Sequence, residues 1–232
     1  MAAEVHSRRS EPWVRRLYLP TYGVSDAARY ARSSTQTVAY WHYGSSGLGP
    51  ALPGAERRQP LSYLQLVEVA FVATFRKLGV SLQRLRATRQ YVAQTFNAEH
   101  PFAEYRFKTE GHHVLMELSE HEPRARREFN KSIIADAHGQ LAWDAMLADK
   151  FAEFDYEGNG LAIRWHVAGR QSPVVIDPRV AFGAPLVSGV PTWVLKGRWA
   201  AGESVTEITE DFGVSEEETE AALRFEGVDL AA

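Results

Sequence analysis

The chain has 232 residues, 45% hydrophobic and 24% charged, with a formal net charge of −3 and no cysteine. The missing cysteines exclude disulfides, thiolate catalysis and cysteine-ligated zinc. No apolar run approaches the roughly 20 residues of a membrane-spanning helix, and the first residues lack the apolar stretch of a secretory signal, so a cytoplasmic protein is expected. The small net charge conceals an uneven distribution. Residues 1–97 hold 13 Arg/Lys against 5 Asp/Glu, a balance of +8, which leaves −11 for the other 135 residues. In the basic part arginine outnumbers lysine 12 to 1, and the guanidinium fork suits phosphate and guanine. Such an asymmetry points to a polyanion partner for the first part of the chain.

Residues 1–17 are charged and expected to fray. Ser25 reads as an N-cap and Ala27–Ala31 as a short helix. Arg32-Ser33-Ser34 is a tight turn, and Thr35 is expected to cap a second helix running to about Tyr43. Val38 and Trp41 fall on the inner face of that helix, with Gln36, Tyr40 and Tyr43 opposite. Two short helices joined by such a turn make a helix-turn-helix. The Gly/Pro-rich stretch 44–60, which includes Arg57 and Arg58, reads as an irregular or hairpin-like excursion. Leu61 to Leu78 is a strongly apolar helix ended by Gly79. Ser81 starts another, with Leu82, Leu85, Thr88 or Arg89, and Val92 as its inner stripe.

After Pro101 the pattern changes. Ala103–Lys108 and Val114–Leu118 flank a hairpin turn, with a possible third strand at Ile133–Ala135. Residues 140–154 read as a helix, and Leu161–Val167 and Val174–Ile176 as extended. Three helices close the chain, at Thr192–Ala201, Ser204–Asp211 and Ser215–Phe225, the last opened by the capping box Ser215 to Glu218.

The residues Val24-Ser-Asp-Ala-Ala-Arg29, Ser33 to Trp41, Leu61-Ser-Tyr-Leu-Gln-Leu66 and Arg76-Lys-Leu-Gly-Val-Ser-Leu-Gln83 together resemble the MerR-like winged helix-turn-helix. A second resemblance covers the last sixty residues. Val175-Ile-Asp-Pro178, Phe182-Gly-Ala-Pro185, Ser188-Gly189, Pro191-Thr192, Ala201-Gly-Glu-Ser204, Ile208 and Asp211-Phe-Gly213 are similar to a small three-helix domain of antitoxins partnered with PIN-like ribonuclease toxins. The two in this order look like a VapB-type antitoxin. The resemblance implies a mainly α (α+β) fold. A MerR-like DNA-binding domain would span 1–97, a central hairpin and helix segment 98–170, and a three-helix antitoxin-type domain 171–232. It also implies a type II antitoxin without enzymatic activity or cofactor, with a PIN-like ribonuclease toxin and double-stranded operator DNA as partners.

Base readout falls to Gln36 and Tyr40 on the outer face of the second helix. Arg32, Arg57 and Arg58 would touch phosphate or the minor groove, with Ser34 and Thr35 at the start of the same helix. A homodimer is expected, because one helix-turn-helix reads too few base pairs for a unique site. The apolar helix 61–78 would lend part of its surface to the second copy. The last helix has the outline of a reader, yet residues 203–229 carry 10 acids and one base, Arg224, and repulsion argues against DNA there. His112, His113, Glu117 and His121 lack a recognised metal-ligand spacing. The 44–54 stretch has glycines but no phosphate-loop Lys-Ser/Thr. The rival functions are a stand-alone MerR-like regulator sensing a ligand in 98–170, and a hydrolase using the histidines.

Overall fold

The computed structural model describes residues 11–44, 49–52, 59–104, 148–158 and 160–230. The chain forms two compact units, one of Leu17–Ala152 with Tyr156–Ala162, the other of Met1–Arg16, Glu153–Asp155 and Ile163–Ala232. Among the described residues no helix is long and apolar enough to cross a membrane.

The expected fraying at the N-terminus is corrected from residue 11 onward. Pro12–Tyr18 is a helix, α1, with proline at its first position and Val14 and Leu17 buried. Apolar residues three apart on one face give this charged segment something to bury. Residues 1–10 lie outside the described part.

In the first unit, α2 spans Val24–Tyr30 and α3 spans Thr35–Tyr43. Both starts differ from expectation. Gly23 is the cap of α2, and its N–H donates to the Asp26 carboxylate at 3.2 Å, so Ser25 lies inside the helix. Ser34 rather than Thr35 caps α3, its Oγ accepting from the Thr37 N–H at 3.1 Å. The oxygen must belong to an extended residue three before the amide it reaches, and Ser34 has that backbone (φ −88°, ψ 148°).

Helix α4, Tyr63–Lys77, follows an antiparallel bridge between Tyr22 and Leu61 and a capping box of Ser62 and Gln65. It ends as expected, with Gly79 at φ 84°. Gly79 N–H reaches the Arg76 carbonyl and Val80 N–H reaches that of Phe75, a Schellman closure. Helix α5, Leu82–Phe96, starts at the Ser81 cap, with Leu85, Thr88 and Val92 inward.

Every residue from Leu61 to Ala73 is buried within the single chain. The expectation that part of this helix serves a second copy is therefore corrected. The chain covers its own apolar surface, and Phe71 meets Phe75 and Phe151 while Phe75 meets Phe102. Burying each such side chain is worth roughly 1.5–3 kcal/mol.

Glu68 lies in that buried stretch with no exposed surface. Its carboxylate accepts from Arg89 Nε at 3.0 Å and Nη2 at 3.4 Å, and pairs with His100 Nδ1 at 3.1 Å. Burial pushes the carboxyl up, but the His100 hydrogen bond and the Arg89 charge outweigh it and hold Glu68 below the ordinary carboxylate range. His42, on the inner side of α3, is 2% exposed and neither ring nitrogen makes a hydrogen bond of good geometry. Burial lowers its pKa to about 4, against smaller opposite pulls from Glu68 and the Leu52 carbonyl.

The strand expected to start at Ala103 is instead a 3-10 turn at Pro101–Ala103, followed by a bridge between Glu104 and Leu161. Proline at the first turn position favours that geometry. The rest of the expected hairpin, the 133–135 strand and the start of the 140–154 helix lie outside the described residues. Residues 148–152 are helical, but Phe154 belongs to a strand. There its ring stacks on Trp165 at 5.5 Å, and the Glu153 carbonyl accepts from His166 N–H at 2.7 Å.

The second unit makes the fold α+β. Its sheet runs β1 (Phe154–Tyr156), β2 (Ala162–Trp165), β3 (Val175–Ile176), β4 (Pro185–Val187), β5 (Val190–Pro191), in that order. Neighbours from β2 onward pair antiparallel. Ser188 and Gly189 join β4 to β5 with φ 45° and 87°, the two positive values of a type I′ hairpin turn. Helices α6 (Thr192–Ala200), α7 (Val205–Phe212) and α8 (Glu216–Phe225) follow within a residue or two of expectation. The capping box of Ser215 and Glu218 is formed. Arg198 bonds Glu203 and Asp211 and lies over the Phe212 ring, tying α6 to α7.

The unfolded chain takes up a proton on His42 as pH falls below its ordinary 6.5, while the folded chain refuses it until about 4. The contribution of the neutral imidazole is thus whole above pH 6.5 and is lost towards pH 4, by roughly 3 kcal/mol. Urea denaturation from pH 7 to 4.5 should show a smaller loss for His42→Phe than for wild type, and parallel curves would contradict the assignment. In the same assay at pH 7, Arg89→Ala should cost about 3–5 kcal/mol by leaving Glu68 buried with half its compensation, and a loss below about 1 kcal/mol would contradict it.

Candidate nucleic-acid interface

The residues 31–34 that join α2 to α3 form a Schellman closure. Arg32 N–H reaches the Arg29 carbonyl at 3.1 Å and Ser33 N–H reaches that of Ala28 at 2.8 Å. The residue at the left-handed position is Arg32, at φ 52°, where glycine is the usual occupant. A side chain there costs roughly 1–2 kcal/mol of local strain, and Arg32 is exposed.

Ser34, Thr35 and Gln36 are exposed at the start of α3, and Tyr40, one turn after Gln36, is half-buried. Arg32, Ser34, Thr35, Gln36 and Tyr40 are therefore close in the chain on a turn and one helix face. The Ser34 hydroxyl is occupied by the cap and by Thr37 Oγ1 at 2.7 Å, so it orders the helix start rather than offering a free donor. Behind this face Val38 (0% exposed) and Trp41 (3%) are buried as expected. The Trp41 carbonyl accepts from both Ala51 and Leu52 N–H, and Arg86 Nε reaches the Pro50 carbonyl at 3.4 Å. These bonds fasten residues 50–52 against α3 and α5. Arg57 and Arg58 lie outside the described residues, as do His112, His113, Glu117 and His121.

The structure also redistributes the charge. Arg84 is buried, and Arg89 is committed to Glu68, so neither adds to a phosphate-facing surface. Arg76 Nη1 closes the end of α4 on the Val80 carbonyl at 2.6 Å. Arg29 packs its guanidinium over the Tyr30 ring at 4.9 Å yet stays exposed on α2, three residues before Arg32. Sequence reasoning missed it as a candidate, although its place one turn from Arg32 was readable. His42 and the Glu68 cluster were missed too, because an apolar run gives no sign of which polar member is compensated.

The second unit carries its own arginines, paired differently. Asp155 binds Arg170 at 2.6 Å and Arg164 at 3.6 Å and lies 3.3 Å from His166. Burial raises the Asp155 carboxyl, and the Arg170 hydrogen bond with the neighbouring positive charges brings it below its ordinary value. In α7 and α8, Glu207, Glu210, Asp211, Glu216 and Glu217 are exposed.

Three comparisons bear on this arrangement. The family model for a protein of unknown function (DUF433) matches residues 174–225, the stretch from β3 through α8. A Mycobacterium tuberculosis (strain ATCC 25618 / H37Rv) protein named "Putative antitoxin VapB45" is 25% identical over 228 residues, covering 90% of this chain and 94% of its own. The crystal structure of Rv2018 from Mycobacterium tuberculosis is similar with a TM-score of 0.72 at 23% identity, covering 90% of this chain and 99% of that one. The last likeness establishes that the two chains share a fold.

The left-handed backbone lets the expected DNA contact of Arg32 be tested apart from its place in the turn. Arg32→Gly should keep or raise the thermal midpoint, since glycine relieves the strain. It should also reduce the slope of log affinity for operator DNA against log salt by about 1. Gln36→Ala should leave that slope unchanged and lose about 1–3 kcal/mol of discrimination between operator and unrelated DNA. Titrations of the upstream region at three salt concentrations measure both. Wild-type slopes and discrimination in both variants would remove this face as the reader.

Proposed function

We propose that this chain is the antitoxin of a type II toxin–antitoxin pair. It binds a PIN-like ribonuclease toxin and represses its own operon through the helix-turn-helix of α2 and α3. What carries the reading is a correspondence of 90% of the chain to a protein named as an antitoxin, joined to the exposed polar face of α3 in a chain whose positive charge is gathered in its first part. The chain performs no reaction of its own. It acts by occupying surfaces, on the toxin and on double-stranded operator DNA.

The charge distribution supports this division of partners. A nuclease that handles RNA needs cationic surface around its RNA path, for the same reason that any protein needs it against a phosphate backbone. The acids of α7 and α8 meet such a surface favourably, and would be repelled by DNA. The toxin's own metal-binding carboxylates would repel them as well, so inhibition covers the rim of the active site. On DNA, repression uses two copies of the chain on two half-sites. With α4 buried in its own chain, the copies meet through other surfaces.

The adjacent reading frame provides the test. Its product expressed alone should arrest growth and degrade RNA. Co-expression with this chain should restore growth, and the two should co-purify as a complex that shifts the upstream DNA. A neighbour that is harmless, or a toxic one that this chain neither binds nor relieves, overturns the antitoxin reading.

A further inference from the structure

A turn in the second unit holds an aromatic ring in water at two separate costs. Phe182, in the turn Ala181–Gly183 between β3 and β4, is 90% exposed. Its backbone is left-handed, at φ 55° and ψ 27°, and so is that of Ala181 before it, at φ 46°. Two consecutive side-chain-bearing residues in that region are disfavoured, and such strain persists only where the surroundings impose it.

Here they do. Asp177 is 2% exposed; its carboxylate accepts from Arg179 N–H at 2.9 Å, Nε at 2.8 Å and Nη2 at 2.7 Å. Arg16 Nη1 donates to the Arg179 carbonyl at 2.7 Å. Val180, Gly183 and Ala184 N–H groups then close on the carbonyls of Asp177, Val180 and Ala181. Burial pushes the Asp177 carboxyl up, and the Arg179 hydrogen bonds overcome it and keep it ionised. The turn is therefore clamped at one end by Asp177 and Arg179, and at the other by the pairing of Ile176 with Pro185.

A turn as such needs no phenylalanine. Glycine would remove the strain and a polar residue would remove the exposed ring, yet the position carries both penalties, and the ring stays 90% exposed. Trp193, in the first turn of α6, is 62% exposed, and Val180 is 40% exposed. Of the five large hydrophobic residues exposed among those described, three thus lie within residues 180–193. Aromatic side chains presented rigidly are the kind that anchor protein interfaces.

Resting on the antitoxin reading above, we propose that Phe182, supported by Trp193, is the anchor by which the second unit holds its toxin. The occupant is a folded protein that offers an apolar pocket to the ring and a basic rim to the acids of α7 and α8. Charge complementarity favours it over the pairing of two copies through their second units, since both are acidic and would repel.

The test uses full-length protein and, as probe, the purified product of the adjacent reading frame, inactivated at one of its carboxylates. By calorimetry, Phe182→Ala should weaken binding by about 30-fold or more and Trp193→Ala by less, as for residues at and beside an interface centre. Phe182→Gly should weaken binding as much while keeping or raising the thermal midpoint, which separates a lost contact from a damaged fold. Operator binding by all three should match wild type.

Wild type that fails to bind the probe sinks the antitoxin reading and this proposal together. Wild-type binding that survives Phe182→Ala within about threefold sinks only the anchor. A self-associated wild type that turns monomeric on Phe182→Ala, without loss of toxin affinity, assigns the ring to a second copy and also overturns the proposal.

Discussion

Glu68 is a carboxylate in the middle of a strongly apolar helix, with no surface in contact with water. A lone charge there would unfold the unit, because its desolvation is far larger than any single packing gain. Its compensation comes from Arg89 on α5 and from His100, beside the 3-10 turn at Pro101–Ala103. Arg89 also donates to the Glu99 carbonyl at 2.9 Å, so a single guanidinium holds both the helix and the chain leaving α5. Helix α4 can satisfy its charge only with α5 and that turn in place. Helix α2 packs on α4 and α3 packs on α2, so the exposed face of α3 is linked through α2 to the helix that carries this buried group. This is specificity obtained from electrostatics, with a penalty for any arrangement that leaves Glu68 unpaired.

The same cluster changes what the charge asymmetry means. Summed along the chain, the first 97 residues are strongly basic. Among the described residues, Arg84 is buried, Arg89 is committed to Glu68, Arg76 closes the end of α4, and Arg29 and Arg32 stay exposed. The cationic surface near α3 rests on Arg29 and Arg32 among the described residues. Over the described residues, that surface is smaller than the sum suggests. Arg32 is held outward by the left-handed backbone that joins the helices, so the residue that shapes the turn also supplies its charge.

The second unit shows the converse. Its helices α6 to α8 have reader-like lengths and caps, with acids where a reader would place bases. Stability there comes from pairing inside the unit: Arg198 with Glu203 and Asp211, Arg170 with Asp155, Arg179 with Asp177. Once these bases are committed, the remaining acids set the field outside. Val180, Phe182 and Trp193 are the exposed large hydrophobic residues of this unit among those described.

Much of this was legible in the order of residues. The inward spacing of Val38 and Trp41, the stop at Gly79, the Ser81 start and the Ser215–Glu218 box are local signals. Each depends on hydrogen bonds or periodicity within one or two turns of chain, so the sequence determined them alone. The polar face of α3 was readable for the same reason. Other features depend on atoms far apart in the chain, and tertiary structure decided those. Whether α4 had a face to spare depended on the neighbours that close around Phe71 and Phe75. Whether Arg89 was surface charge or core charge depended on Glu68, 21 residues away. The short strands β4 and β5 carry too few residues for a period; β4 pairs on the edge of β3, and β5 on the edge of β4. Phe182 stood in the sequence as part of a motif, with nothing local to say that its ring faces water. The clamp of Asp177 on Arg179 and the pairing of Ile176 with Pro185 hold its turn, because a left-handed backbone at a residue with a side chain needs such contacts to persist.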